Sequence, residues 1–405
     1  MRTMRPIRET IPVEEARALL LEAARPLERV ERVSIREAAD RVLSAPIVSP
    51  VDVPPFDRAA MDGYAVIAEN TFGAGRYDAR ILRCVGKVYT GAVASRAVSR
   101  GECIEIATGA PLPQGADAVV MVEETERADE TNVRVFTPVY PRQHVGRRGS
   151  DMAAGQTVLP AATPLTPSRI GALAALGLAD VGVYAKPLVA IVSTGNEIVE
   201  PGQPLQPGQI YDINRFTLAA IVEAHGGRPR IEAPAGDTLP DLLHALESAA
   251  DADLIIFSGG SSVGERDLIM DALQQAGEVI FHGIAVKPGK PTILGSVAGQ
   301  PVLGMPGNPT SCLSNAYLLL VPMLRRIARL PEYVPHTVRI PLARRVVSTT
   351  GRHQIYTVRI ANGSAEPAFK GSGDITSMAH ADGYIEISAQ TDIVEAGEMV
   401  DVKLF

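Results

Sequence analysis

Tryptophan is absent from the 405-residue sequence, and aromatic residues make up only 4% of it. A chain this poor in rings has little from which to build a base-stacking platform. An excess of positive charge is also missing: 39 Lys and Arg stand against 46 Asp and Glu, for a formal net charge of -7. That balance offers no basic surface to a phosphate backbone, so nucleic acid is not an expected partner. The three cysteines, Cys84, Cys103 and Cys312, are odd in number and scattered. They offer neither a disulfide framework nor CxxC metal spacing, and each is expected to be a small core residue. None of the seven histidines pairs with another at metal-ligand spacing, and His144, His225 and His282 read as turn or helix-edge residues. No apolar run approaches the ~18 residues of a membrane span, and no apolar h-region follows Met1-Arg2-Thr3-Met4-Arg5-Pro6. A reducing cytoplasm and no membrane partner are therefore expected.

Hydrophobic residues, at 46%, suffice for real cores, and roughly 150 residues per domain leaves room for two to four domains. The most informative stretch is 252–291. Asp253-Leu254-Ile255-Ile256-Phe257 reads as a buried strand, and Ser258-Gly259-Gly260-Ser261-Ser262-Val263-Gly264-Glu265-Arg266-Asp267 follows it. A helical pattern begins near Asp267. A glycine-rich loop between a strand's carboxyl end and a helix's amino end is where open α/β sheets take ligands, and its N–H groups suit anions. A second strand, Val279 to Val286, delivers Lys287-Pro288-Gly289-Lys290-Pro291 on a loop held by proline. Each feature has a bland explanation in turn geometry or solvation, and neither GxGxxG nor a Walker pattern is present. Together, amides, two lysines and Asp267 predict a phosphate or oxyanion site with a cation.

Along the chain, Val13 to Ala24 has helical spacing, and the capping box Ser34-Ile35-Arg36-Glu37 predicts a second helix to about Leu43. Four prolines between Pro46 and Pro55 make an extended connector. Short β runs at 79–88, 102–106, 118–122 and 133–139 predict a small inserted β-rich domain, residues 46–144. It interrupts an amino-terminal helical or mixed domain, residues 1–45 with 145–184, in which Thr166-Pro167 opens a helix closed by Gly177. Strand and helix patterns alternate over 185–330, which predicts a mostly parallel α/β sheet covered on both faces. Residues 331–405 return to β alternation, with an Asn362-Gly363 hairpin signal, and are expected to form a barrel-like carboxy-terminal domain. The fold class is thus multidomain, α/β plus β.

Glu197, Asp237 and Asp267 each fall where a strand of the α/β domain should end. Helix capping explains Asp237 or Asp267 taken singly, at ~1 kcal/mol each. Parallel strands place their carboxyl ends on one rim, however, so the acids should converge with Lys287 and Lys290. Carboxylates plus phosphate oxygens are the usual Mg²⁺ environment.

The ordered set Pro54-Pro55-Phe56-Asp57, Ala60-Met61-Asp62-Gly63-Tyr64-Ala65, Thr108-Gly109-Ala110-Pro111, Arg147-Arg148-Gly149, Thr194-Gly195-Asn196-Glu197, Ser258-Gly259-Gly260 with Ser262-Val263-Gly264, Lys287-Pro288-Gly289-Lys290-Pro291 and Pro306-Gly307-Asn308-Pro309 resembles the molybdopterin molybdenumtransferase (MoeA) family, which includes the gephyrin E domain. The resemblance runs nearly end to end. Arg58-Ala59 stands where Asn-Ser is usual, and Ser261 where Val is usual; Gly371-Ser372-Gly373 matches loosely.

This resemblance implies insertion of molybdate into adenylylated molybdopterin, with release of AMP and Mg²⁺ present, by an elongated homodimer of four-domain subunits. Small molecules are the implied substrates, and transient contact with other proteins of molybdenum cofactor synthesis is compatible with it. The implied catalytic residues are Asp62, Glu197, Asp237, Asp267, Lys287 and Lys290, with Glu197, Asp237 and Asp267 on the metal. The implied substrate contacts are Thr108, Asp151, Thr194, Gly195, Ser258, Gly259, Gly260, Ser262, Gly264, Pro306, Gly307, Asn308 and Ser372. Asp62 and Thr108 are implied to cover the site from the partner subunit. Two other classes fit parts of the chain. Molybdopterin adenylyltransferase shares the α/β domain but lacks the flanking β domains. A non-enzymatic, receptor-clustering scaffold of the gephyrin type normally carries a fused module and a long disordered linker, which this sequence does not show.

Overall fold

Apolar runs without polar alternation, such as Leu188–Ser193 and Leu254–Ser258, cannot leave either face in water, and they become the centre of a six-stranded sheet. The computed structural model describes residues 9–259 and 268–405. Two units emerge from it: residues 9–31, 40–42 and 182–405 in one, residues 32–39 and 43–181 in the other. Helix α1 (Val13–Ala23) belongs to the first.

In the second unit, β1 (Gly63–Val66), β2 (Arg80–Val88), β3 (Glu102–Ile106), β4 (Ala118–Met121), β5 (Thr125–Arg127) and β6 (Asn132–Val135) form one sheet in the order β4-β1-β3-β2-β6-β5. Only β2 and β3 run parallel. Alternate residues bury opposite faces: Tyr64, Cys103 and Val120 on one side, Ala65, Ile104 and Val119 on the other. Helix α2 (Pro167–Ala175) starts at Thr166 with proline in its first turn. It ends in a Schellman motif: Gly177, at φ 73°, donates to the Ala174 carbonyl, and Leu178 donates to the Leu173 carbonyl.

The helix expected from the capping box does not form. Val30–Ser34 is a strand, followed by turns to Leu43. The Ser34 hydroxyl accepts from the Arg36 N–H, two residues on, and the Ser34 carbonyl accepts from Glu37. This local turn uses the groups that would have nucleated a helix.

In the first unit, β7 (Leu188–Ser193), α3 (Asn214–Ala224), β8 (Arg228–Ile231), α4 (Leu239–Ser248), β9 (Leu254–Ser258), α5 (Leu268–Ala276), β10 (Glu278–His282), β11 (Val286–Lys287), β12 (Ile293–Val297), β13 (Gln300–Met305) and α6 (Pro309–Asn315) follow in order. The sheet order is β8-β7-β9-β13-β12-β10, parallel through β13 and antiparallel beyond it. Helix α6 passes through a π-helical turn, Ala316–Leu320, into α7 (Val321–Ile327). Leu218, Val222, Leu320 and Leu324 cover one face of the sheet together with Leu20 of α1. Leu242, Leu246, Ile269 and Leu273 of α4 and α5 cover the other.

The single strand expected at 279–286 is two. Ile11 bridges to Ile284, accepts from Ala285 and donates to Gly283, whose φ is 95°. The strand breaks there, and β11 pairs with the carboxy-terminal sheet instead. That sheet contains β14 (Thr337–Pro341), β15 (His353–Ala361), β16 (Ser364–Pro367), β17 (Gly383–Ile387) and β18 (Met399–Leu404), in the order β11-β15-β17-β18-β14 with β16 on β15. Asn362 and Gly363, both at positive φ, make the β15–β16 hairpin. No helix among the described residues is long and apolar enough to cross a membrane.

Candidate functional site

Strands β7, β9 and β13 run parallel, so the residues that follow them, Thr194, Gly259 and Pro306, emerge on one rim. They line a cleft of about 930 Å³ that also takes in Glu197, Asp212, Asp237, Lys287 and Lys290. The rim is held by backbone bonds that continue the sheet: Thr194 donates to the Ser258 carbonyl (3.0 Å), and Gly259 donates to the Met305 carbonyl (3.2 Å). Ser258 is buried beneath it. Gly259 sits at φ 98°, and a Cβ there would lie 2.8 Å from the Thr194 carbonyl oxygen. Only glycine fits so close an approach in that conformation. Gly195 lines the same wall.

The lysine loop is fixed from below. Asn315, fully buried on α6, donates to the Gly289 carbonyl (2.8 Å) and to the Thr292 hydroxyl (2.7 Å). Gly289, at φ 108°, lies against that amide, where a Cβ would come within 2.4 Å of Asn315 Nδ2. The Lys290 carbonyl accepts from Ile284 (3.0 Å) and Thr292 (2.9 Å). Lys287 Nζ donates to the neutral Thr349 hydroxyl at 2.7 Å. Its charge is thereby oriented but not neutralised by this contact.

Among the acids, Asp237 does not cap α4. The cap is Thr238, whose hydroxyl accepts from the Asp241 N–H. Asp237 instead accepts from the Asn196 N–H (3.0 Å), tying the β7 loop to the segment before α4. Glu197 is exposed on the same loop. Asp267, with Gly260, Ser262 and Gly264, lies outside the described residues. Asp62 and Thr108 come together in the β-rich unit, where the Thr108 N–H donates to Asp62 Oδ1 at 2.7 Å. The backbone and then the hydroxyl of Thr108 hold the Asp62 carboxyl below its ordinary range. Asp151, in the same unit, is exposed, and its N–H donates to the Val53 carbonyl.

Several cleft residues belong to none of the motifs picked out in the sequence. Asp212 and Arg215 form a buried pair at 3.1 Å, side chains 2% and 4% exposed. Asn214 donates to the Gly307 carbonyl (2.8 Å) and so holds the Pro306-Gly307-Asn308 loop. The polar cluster Asp212-Ile213-Asn214-Arg215 at a strand-to-helix junction was the available clue. Arg352 and Phe369 reach the cleft from the carboxy-terminal sheet region, beside Ser372. Ser372 accepts from Asn308 through its hydroxyl (3.0 Å) and from the Thr310 N–H through its carbonyl.

Among the described residues, Ser193 Oγ, Thr194 Oγ1 and Asn214 Oδ1 are buried on cleft-lining side chains without a hydrogen-bond partner. Buried polar atoms are normally satisfied, so orphans gathered at one cleft fit a polar ligand. Cys312 has no such role: burial pushes its thiol up to about 12, with contact from Ser258 acting the other way. No group of three His, Cys, Asp or Glu side chains forms a metal cage among the described residues. Two carboxylates on one rim do suit Mg²⁺, which binds through one or two acids plus substrate phosphates.

A parallel rim that brings lysines and carboxylates to one cleft has the form of a ligand site at the strand ends of an α/β domain, suited to an anion. Comparison with known proteins gives the family. Residues 190–326 match the "probable molybdopterin binding domain", residues 11–177 the "MoeA N-terminal region (domain I and II)" and residues 339–405 the "MoeA C-terminal region (domain IV)". Molybdopterin molybdenumtransferase 2 of Mycobacterium tuberculosis is 36% identical over 396 residues, 95% of this chain and 96% of that protein. The molybdopterin molybdenumtransferase of Haemophilus influenzae is 33% identical over 408 residues, 98% of both. The crystal structure of a molybdopterin biosynthesis MoeA protein from Pyrococcus horikosii superimposes with a TM-score of 0.83 at 39% identity, covering 98% of this chain and 99% of that one. The chain belongs to the molybdopterin molybdenumtransferase (MoeA) family, transferases of molybdenum cofactor biosynthesis.

Proposed function

We propose that this protein inserts molybdate into adenylylated molybdopterin and releases AMP in a Mg²⁺-dependent reaction. The observation that carries the reading is the meeting of Lys287 and Lys290 with buried orphan hydroxyls and two carboxylates in one cleft. Molybdate and a pyrophosphate linkage are both anionic, and each needs donors that do not have to reorganise. Lys287 and Lys290 neutralise oxyanion charge. Thr194 and Ser193 supply hydroxyl donors, and Gly259 and Gly307 leave room for phosphate to lie against the backbone. Glu197 and Asp237, with Asp267, would hold Mg²⁺, which supplies neutralisation at the phosphate oxygens as the anhydride breaks. Asp237 is already anchored to the β7 loop, so its carboxylate is pre-positioned for this task.

In our reading the enzyme is a cytoplasmic homodimer whose sites are shared: Asp62 and Thr108 of each subunit cover the partner's cleft. Adenylyltransferase activity is the nearest rival. The lining contributed by Arg352, Phe369 and Ser372 favours the transferase, because a lone α/β domain has no such wall. The direct test supplies adenylylated molybdopterin, molybdate and Mg²⁺ and follows AMP. Release that requires molybdate is expected; no AMP from a folded protein overturns the reading. Sharing is tested by mixing Asp62→Asn and Asp267→Asn chains after dissociation. Random reassociation should restore roughly a quarter of wild-type sites, because each mixed dimer collects both lesions in one site. No recovery once subunit exchange is confirmed would rule sharing out.

A further inference from the structure

No spacing in the sequence pairs the cysteines, yet the β-rich sheet places two of them side by side. Cys84 on β2 and Cys103 on β3 are registered partners in the one parallel pairing of that sheet. Both are free thiols, and both face the same core cluster, with Tyr64 and Leu82 among their neighbours. Neighbouring strands are ~4.8 Å apart, which falls within the Cα separation a disulfide spans. Registered, same-face thiols therefore stand at a backbone separation that a disulfide can span.

Their environments differ in the way a reactive pair requires. Cys103 is fully buried, whereas Cys84 is partly exposed, at the point where the β2–β3 register shifts before Lys87. The Cys84 thiol points towards the Gly86 carbonyl at 3.4 Å. Arg127 and Glu105 also lie in this neighbourhood, Arg127 within electrostatic reach of the Cys84 sulfur. Burial raises the Cys103 thiol well above its ordinary range, and contact with Cys84 adds to this.

We propose that Cys84 and Cys103 form an oxidisable dithiol that reacts with hydroperoxides and closes reversibly to a disulfide. The Cys84 thiolate attacks one peroxide oxygen, the O–O bond breaks, and the other oxygen leaves as water after taking a proton. Cys84 is then a sulfenic acid. The Cys103 sulfur attacks the Cys84 sulfur, an S–S bond forms, and the hydroxyl leaves as water with the Cys103 proton. Two thiols lose two electrons, and one hydrogen peroxide becomes two waters. The bond locks β2 to β3 across the 89–101 connection, and β3 leads directly to Thr108 and its contact with Asp62.

The test uses the intact protein and hydrogen peroxide, followed by thiol capture under denaturing conditions and peptide mass mapping. Reactive thiols should fall from three to one, with a Cys84–Cys103 linked peptide that dithiothreitol reverses and Cys312 still alkylated. Cys84→Ser should leave Cys103 reduced under the same treatment. Cys103→Ala should accumulate a Cys84 sulfenic acid that dimedone traps. Should Cys103→Ala not fold, the wild-type map and Cys84→Ser still decide the matter. Three retained thiols in the wild type, or oxidation of Cys84 that leaves Cys103 free, would overturn the proposal.

Discussion

Charge is handled in opposite ways on the β-rich sheet and the α/β sheet. On the β-rich sheet, Glu105 is shared by Lys87 and Arg127, both at 2.5 Å, and Glu102 is held by Arg83, Arg96 and the Ser99 N–H. The acids there are matched by protein cations. At the cleft over the α/β sheet, Lys287, carried there by a strand of the carboxy-terminal sheet, touches a neutral hydroxyl, and Asp237 touches a backbone N–H. Buried hydroxyls beside them have no partner in the described residues. Satisfied networks stabilise a fold; incompletely satisfied groups collected in a cleft are suited to a ligand. The same residue types therefore do different work according to what already neutralises them.

The contrast is broken most severely at the buried ion pair of the cleft. Among the described residues, Asp212→Ala leaves the buried Arg215 with the exposed Glu200, 3.3 Å away, as its remaining acid. It should cost about 3–5 kcal/mol, read as a large fall in denaturant midpoint. Gly259→Val puts a branched side chain at φ 98° against the Thr194 carbonyl. It should cost at least about 1–3 kcal/mol and abolish AMP release, because it fills the place where the ligand approaches the backbone.

In the carboxy-terminal sheet, burial opposes ionisation of Glu386, but His353 at 3.4 Å and a hydrogen bond from Lys403 outweigh it and bring the carboxyl to about 2, against an ordinary 4.5. A depressed carboxyl pKa stabilises the fold above the unfolded value and loses that contribution as pH falls. Wild type should thus exceed Glu386→Gln in stability by roughly 2–3 kcal/mol at neutral pH, the difference closing between about pH 4.5 and about pH 2. Thermal melts of both proteins across that range would check it. At the other extreme, Glu105→Ala on the β-rich sheet removes two partly exposed pairs, worth under about 1 kcal/mol each, with the molybdate dependence of AMP release unchanged. An effect on kinetics there would blur the distinction between the two sheets.

Much of this arrangement was legible in the sequence where it depended on local chemistry. The strand at 254–258, the Thr166-Pro167 to Gly177 helix and the Asn362-Gly363 hairpin followed from apolar runs, caps and turn residues. Long-range pairing was not legible. Nothing local to 279–286 says that Ile11 will interrupt the strand and send Lys287 to another sheet. Nor does a separation of nineteen positions along the chain say that Cys84 will face Cys103. The Ser34 capping box misleads because a turn satisfies the same groups more locally. Asp237 shows the converse: a carboxylate beside a helix start has the look of a cap, but Thr238 occupies that role.

The central claim is that the rim lysines serve an anion rather than the fold, and Lys287→Ala tests it most directly. Losing one charge-assisted hydrogen bond to molybdate is worth about 1.5–3 kcal/mol, so half-maximal AMP release should need about tenfold to a hundredfold more molybdate. The melting temperature should stay near that of the wild type, since among the described residues the substitution removes a hydrogen bond to the neutral Thr349 hydroxyl and no buried ion pair. An unchanged molybdate dependence in the folded variant would contradict the account.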